Sequence, residues 1–302
     1  MMATTQSISK REEKITALIM ILPATLLLGV FVMLPLGMAV YRSFFDYRAG
    51  GESLYVGFDN FRKILKNTIF FDSIANVIKM TAIIATAQIV LSFLFANALV
   101  RIRGRKAVIA RMLIYLPYLI SGIVVSVIFT LMTRYNGGII NAFLIQLNIE
   151  PIAFNNDTFW SPISIIIPTL WIGFGYFTLI MYSGLINIPR EYFEAAEVDG
   201  AGFLRKTLSI TIPHMKNYFI LLVVTLVVVN LQMFEIPMIM TNGQPAGQTM
   251  TPVLYLIHSR ANSNISDSEI TAAALLIMLV ILLINSTIFY LFRTRKKDEW
   301  EH

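Results

Sequence analysis

Long apolar runs alternate with polar stretches along this chain of 302 residues, and six of them stand out, at 15–41, 74–100, 108–131, 163–185, 218–241 and 271–292. Each is about as long as the 20 or so residues that carry an α-helix across a hydrocarbon core. No water reaches backbone N–H and C=O groups inside lipid, so a spanning segment must satisfy them within itself. The pattern therefore predicts an all-α membrane protein of about six transmembrane helices. The first run follows Lys10, Arg11 and Lys14 in the manner of a secretory signal, but it is too long for one and no Ala-x-Ala-like cleavage site follows. It is read as a span. Residues 1–14 form a polar segment ahead of the membrane domain 15–292, and 293–302 a polar tail.

Polar residues and prolines punctuate the runs. Pro23 and Pro35 remove backbone donors from the first run and predict kinks there. The second carries Lys79, Thr81, Thr86, Gln88, Ser92 and Asn97, with Lys79 within two turns of one end, where its long stem can snorkel to the interface. Pro117, Ser121 and Gly122 lie in the third. The fourth is crowded with aromatic and small residues, among them Trp171, Gly173, Phe174, Gly175 and Tyr176. Aromatic faces suit the C–H side of a pyranose, and glycines suit close helix packing; packing is the expectation for Trp171 and Phe174. Asn230, Gln232 and Glu235 fall within six positions of the fifth run, an expensive arrangement in lipid. Asn230 and Gln232 point about 200° apart on a helix and so are not expected to share one face, and Asn230 and Glu235 are similarly well separated. Asn230 is expected to face an interior route, and Glu235 either that route or a neighbouring helix.

Charge adds orientation. Of the 24 Lys and Arg, 16 lie at the termini and in the loops around 101–111 and 190–217, seven lie in the other loops, and Lys79 lies inside a span. The positive-inside rule then places both termini and the 190–217 loop in the cytoplasm, with 42–73, 133–161 and 242–270 outside. Charged residues are 14% of the chain, against about a quarter in soluble domains. The net charge of +6 follows from this topology and implies no nucleic-acid partner. There is no cysteine, and His214, His258 and His302 have no metal-ligand spacing, so no metal site is expected. No Gly-x-x-x-x-Gly-Lys-Ser/Thr loop is present to hold nucleotide.

Outside the apolar runs, local chemistry predicts a short surface helix from Phe61 capped by Asp59 or Asn60, a turn at Asn136-Gly137-Gly138, and a helix over 139–147. The stretch 190–217 is a charged island of unusual order. Pro189 starts a helix bearing Glu191, Glu194 and Glu197 on one side, and acidic groups suit the positive end of a helix. Gly200 and Gly202 permit a reversal. A second short segment over 203–212 is expected to end at Pro213, with Asp199 as its cap.

Glu194-Ala195-Ala196, Gly200 and Ile210-Thr211-Ile212-Pro213 resemble the EAA signature of ABC-importer permease subunits, every spacing matching and Ile212 standing where the family has Leu. Gly57-Phe58-Asp59-Asn60-Phe61, the run Gly138, Ile140 and Asn141, the pair Phe234-Glu235 and the loop Thr241-Asn242-Gly243-Gln244-Pro245 are similar to segments of the carbohydrate branch, with Gln244 replacing a glycine. The resemblance covers roughly 18–292. It implies the type I importer permease fold, a prokaryotic inner membrane, a second homologous permease subunit, two separate ATPase subunits that hold the ATP and Mg, and an external solute-binding protein. It implies a coupling role for Glu191, Glu194, Ala195, Ala196, Asp199, Gly200, Ile210 and Pro213, and a substrate pathway near Gly173, Tyr176, Asn230 and Glu235. A sugar or oligosaccharide is the implied solute; a glycerol phosphate or polyol is the alternative, and a membrane enzyme of lipid-linked sugars or a structural or sensory subunit are remote ones. This chain is expected to bind no cofactor.

Overall fold

The computed structural model describes residues 10–46, 53–261 and 265–292. Residues 1–9, Arg48 and the tail 293–302, on which part of the charge argument rests, lie outside the described residues. The chain divides into two compact units, one of 1–66 with 262–276 and one of 67–261 with 277–302.

In the first unit, helix α1 (Lys10–Leu28) runs through a widened π turn at Gly29–Met33 into α2 (Leu34–Ser43). Pro35 sits in the first turn of α2, and the wider turn before it accommodates the missing donor. Pro23 lies within α1 without breaking it. Strands β1 (Phe45–Asp46) and β2 (Leu54–Tyr55) pair antiparallel, Phe45 opposite Tyr55. Helix α3 then covers Asp59–Ile64. The expected cap is corrected here: α3 begins at Asp59 behind Phe58, with no side-chain cap. Asn60 turns inward instead, donating from Nδ2 to the Ser43 carbonyl at 2.9 Å and the Phe45 carbonyl at 3.0 Å. The amide thus braces the end of α2 and β1 and caps nothing.

The second unit is organised on α4 (Thr68–Val100), α8 (Trp160–Ile186) and α12 (Lys216–Leu231). Ala96 of α4, Phe177 and Met181 of α8, and Leu222 and Leu226 of α12 share one buried cluster with Met215. Helix α4 starts two turns earlier than the apolar pattern, because Asn67 accepts from the Phe70 N–H at 3.3 Å and caps it. Lys79 therefore lies in the fourth turn and its side chain is exposed. Helix α7 (Ile139–Gln146) matches the expected one, behind Gly137 at φ +78°. Asn141 is buried beneath it and bonds the Arg134 and Ile152 carbonyls and the Ile152 N–H. Helix α14 covers Pro252–Ala261, and α15 (Asp267–Phe292) is the last apolar helix.

Two of the expected straight spans are broken. The third divides into α5 (Arg105–Tyr115), a 3-10 turn at Leu116–Leu119 and α6 (Gly122–Met132), with a 91° bend between the pieces. Pro117 cannot continue the ladder, Ile120 and Ser121 are extended, and the Ser121 hydroxyl accepts from the Ile123 N–H at 3.3 Å to start α6 afresh. The fifth breaks over Gln232–Phe234, and α13 (Glu235–Met240) resumes beyond it. Pro237 supplies no donor for the Met233 carbonyl four residues back, and the Thr251 hydroxyl takes that carbonyl instead, at 2.8 Å. Five helices are long and apolar enough to cross a membrane, or six with the bent pair counted as one, among the described residues.

Candidate functional site

Both breaks open onto one cavity of about 390 Å³ in the second unit. Helix α8 contributes Thr169, Gly173 and Tyr176; α12 contributes Thr225 and Asn230; the break after it contributes Gln232, and the start of α13 contributes Glu235. Gln88 enters from α4, and Tyr118 and Gly122 from the bent third span. All four residues expected on a substrate pathway, Gly173, Tyr176, Asn230 and Glu235, line this space. The angular separation drawn for Asn230, Gln232 and Glu235 is corrected: it holds only for a continuous helix, and α12 ends at Leu231, so Gln232 (φ −100°, ψ 3°) and Glu235 swing round to the same cavity.

The side chains differ in how firmly they are held. Tyr176 stacks on Tyr118, centroids 4.5 Å apart and planes 9° from parallel. Asn230 is buried and donates from Nδ2 to the Leu226 carbonyl at 2.7 Å, while its Oδ1 has no partner among the described residues. A buried amide oxygen without a donor is costly, so this atom is a ready acceptor for a hydroxyl. Gln88 donates to the Ser92 hydroxyl at 3.3 Å. A methyl at Gly173 would come within 3.1 Å of the Phe177 ring and 3.3 Å of Gln88 Oε1, so the glycine keeps this wall recessed. The Glu235 carboxylate rests over Gly122, where a Cβ would sit, at the first turn of α6. The lining contains one carboxylate and no Lys, Arg or His. Trp171 and Phe174 point elsewhere in α8's surroundings, against Phe129 at 5.8 Å and edge-on to Phe95 at 4.8 Å. Gly175, beside them, lies so close to the Ile114 backbone that any side chain would collide with it.

The charged island folds as an arch. Helix α9 (Arg190–Val198) follows Pro189, carries Glu191 in its first turn and buries none of its residues. Its half-buried Phe193 packs on the cluster around Met215, leaving Glu194 and Ala195 exposed and Ala196 partly so. Gly200, at φ +71°, ends it in a paired closure: the Gly200 N–H donates to the Glu197 carbonyl at 3.0 Å and the Ala201 N–H to that of Ala196 at 2.8 Å. Only a residue tolerant of positive φ closes a helix in this way. Gly202 is extended, not left-handed. Two further expectations are corrected. Asp199 is the last residue of the α9 closure and does not cap the next segment, which starts behind Gly202 with no side-chain cap. Nor does Pro213 end that segment: α10 (Phe203–Lys206), a π turn at Thr207–Thr211 and α11 (Ile212–His214) run on through it, because the widened turn absorbs the missing donor. Lys206 pairs with Glu197 at 2.8 Å across the arch, and Ile210 packs on the same core cluster as Phe193.

The sequence model of the binding-protein-dependent transport system inner membrane component matches residues 88–298. The chain belongs to this family. The permease is 26% identical over 288 residues to the sulfoquinovosyl glycerol transport system permease protein SmoG of Agrobacterium fabrum, covering 94% of this chain and 92% of that one. It is 27% identical to the lactose transport system permease protein LacF of Rhizobium radiobacter, over 98% and 100% of the two chains. It is 26% identical to the sn-glycerol-3-phosphate transport system permease protein UgpA of Shigella flexneri, over 88% and 90%. Its fold matches a chain of a bacterial ABC transporter involved in import of the acidic polysaccharide alginate, with TM-score 0.79 at 19% identity over 94% and 96%. The relatives are transport permease components, which sets aside the reading as an enzyme of lipid-linked sugars. The permease is thus a multi-pass inner-membrane component of an ABC importer.

Sequence reasoning left Tyr118, Thr169 and Thr225 unassigned. Tyr118 follows Pro117, the one local signal that the third span bends and could carry the ring inward.

Proposed function

We propose that this permease forms, with a second homologous permease, the path by which a neutral sugar or oligosaccharide crosses the membrane. An external solute-binding protein delivers the sugar. Two separate ATPase subunits, which hold the ATP and Mg, drive the cycle through the arch at 190–217. Both termini and the arch face the cytoplasm. Glu194 pairs with a basic group of the ATPase, Ala195 and Ala196 allow its surface to approach, and Glu191, Asp199, Gly200, Ile210 and Pro213 shape and anchor the arch.

What carries the reading is the lining of the cavity. Tyr118 and Tyr176 supply aromatic faces, and Gln88, Asn230 and Gln232 supply amides around them. That combination of apolar faces and fixed hydrogen-bonding groups suits a ring with hydroxyls on its edge and C–H bonds on its face. The relatives named for lactose and sulfoquinovosyl glycerol support the same class.

The relative named for sn-glycerol-3-phosphate suggests a second reading. A phosphate ester calls for Arg or Lys, and the lining offers none and carries Glu235. The charge of the cavity favours the neutral sugar.

The test is ATPase activity of the reconstituted complex with solute-loaded binding proteins. Stimulation by a protein loaded with a neutral sugar is the expected result. Stimulation only by one loaded with a phosphate ester would give the site to the second reading, and indifference to every binding protein would refute both.

A further inference from the structure

A second recess lies away from the cavity, between the end of α4 and the arch. It has a volume of about 730 Å³, and Arg101, Arg103, Arg190 and Lys206 line it with no Asp or Glu among the lining residues. The four cations are not equally engaged. Lys206 is paired with Glu197 at 2.8 Å, and the Arg101 guanidinium lies 5.8 Å from the centre of the Phe203 ring. Arg103 and Arg190 are exposed and form no ion pair among the described residues. With Glu197 taken up by Lys206, the remaining like charges repel, and an anion placed among them relieves that repulsion.

Beside the cations the wall is mixed: Asn97, Tyr182, Thr207 and Thr211 bring polar groups, and Val100, Leu185, Ile186 and Ile188 form an apolar side. Val100 and Ile186 are the last residues of α4 and α8, so the recess opens where two membrane helices end. A soluble anion has no use for an apolar wall at that level. A phospholipid has, because its phosphate and its first acyl carbons sit side by side at the membrane interface.

We propose that this recess binds an anionic phospholipid, its phosphodiester held by Arg103 and Arg190 and its chains laid against Leu185, Ile186 and Ile188. Basic pockets at the ends of transmembrane helices are suited to such headgroups. The bound lipid would tie the start of α9 to the end of α4, and so stiffen the base of the arch.

The complex purified with its ATPase subunits in detergent tests this, titrated separately with phosphatidylglycerol, phosphatidylcholine and inorganic phosphate. Native mass spectrometry reads the retained lipid, and thermal unfolding reads its effect. Retention and a raised Tm with phosphatidylglycerol alone are expected. The pair Arg103→Gln and Arg190→Gln should weaken that binding roughly 30-fold, the size expected for two basic residues near an anionic headgroup. The pair Arg103→Lys and Arg190→Lys should bind within a few-fold of the parent, which separates lost charge from lost folding. Equal retention of phosphatidylcholine, or undiminished binding by the Gln pair, would overturn the proposal. An equal Tm rise with inorganic phosphate would assign the recess to a soluble anion instead. Binding seen only after the ATPase subunits are removed would make it a protein-docking surface.

Discussion

The carboxylate of Glu235 occupies the space above Gly122 that a side chain would need, so the break in the fifth span and the bend in the third meet at one carboxylate and one bare Cα. Gly122 opens α6, and the positive end of that helix favours an anion there. The contact thus couples the two interruptions that shape the cavity. Replacing Gly122 by Ala must move the carboxylate, and because only the flexible end of Glu235 is in the way, stability should change by less than about 1 kcal/mol. Transport should nonetheless fall. Solute uptake by Gly122→Ala, Glu235→Ala and the double variant decides the matter: a double variant no worse than the poorer single one is expected, since both remove one contact. Additive losses would show that the two residues act separately.

Thr251 and Pro237 make a second separable pair. The Thr251 hydroxyl serves the Met233 carbonyl that Pro237 leaves without a helical donor. Thr251→Val keeps the shape and strands that carbonyl, at a cost of about 1–3 kcal/mol. In a Pro237→Ala background an N–H is restored four residues beyond Met233, and the same substitution should cost distinctly less. Thermal unfolding of the four proteins measures this, and an equal cost in both backgrounds would refute the exchange of donors.

What could be read from the sequence divides along physical lines. The spans are legible because lipid imposes a length and a polarity on every helix, and Gly200 is legible because its position at the end of an acidic helix calls for positive φ. Asn230 is legible only as a polar group in a costly place, and Asn60 only as a cap candidate; that they donate to the Leu226 and Ser43 carbonyls is not read from the pattern. The breaks are not legible because each sits inside a run that is long and apolar enough to read as one span, even where Asn230, Gln232 and Glu235 interrupt it. Pro117 and Pro237 mark them, but proline within a span is as compatible with an unbroken helix, as at Pro23, as with a 91° bend. Tyr118 is not legible as a lining residue for that reason: only the bend brings its ring onto Tyr176.

Lys63 and Glu269 give a pH dependence within the first unit. The two meet at 2.8 Å, and the hydrogen bond to Glu269 raises the Lys63 ammonium above the ordinary lysine value of 10.5. A raised lysine stabilises the fold fully below about pH 10.5 and loses that contribution as pH climbs through its value in the folded protein. The Lys63 side chain is 54% exposed, so solvent screening holds the pair to at most about 1 kcal/mol. Glu269→Gln should therefore lower Tm slightly at pH 8, and the gap from the parent should close above pH 10.5. A gap that widened with pH would reverse the assignment.

Glu194 offers the sharpest separation of stability from coupling. It projects from a helix that buries none of its residues, and it makes no ion pair among the described residues, whereas Glu197 one turn on is tied to Lys206. Reversing an exposed, unpaired charge moves stability by no more than about 0.5 kcal/mol. Glu194→Lys should then leave Tm and membrane insertion unchanged while stimulation of ATPase activity by a loaded binding protein falls at least about tenfold, because a like charge now faces the basic group it is proposed to meet. Glu197→Lys differs in kind: it sets two ammonium groups together within the arch and should lower Tm as well. If Glu194→Lys transports at the parent rate, the arch does not transmit the stroke through this residue. A compensating acidic substitution on the ATPase that restores stimulation would identify the partner group directly.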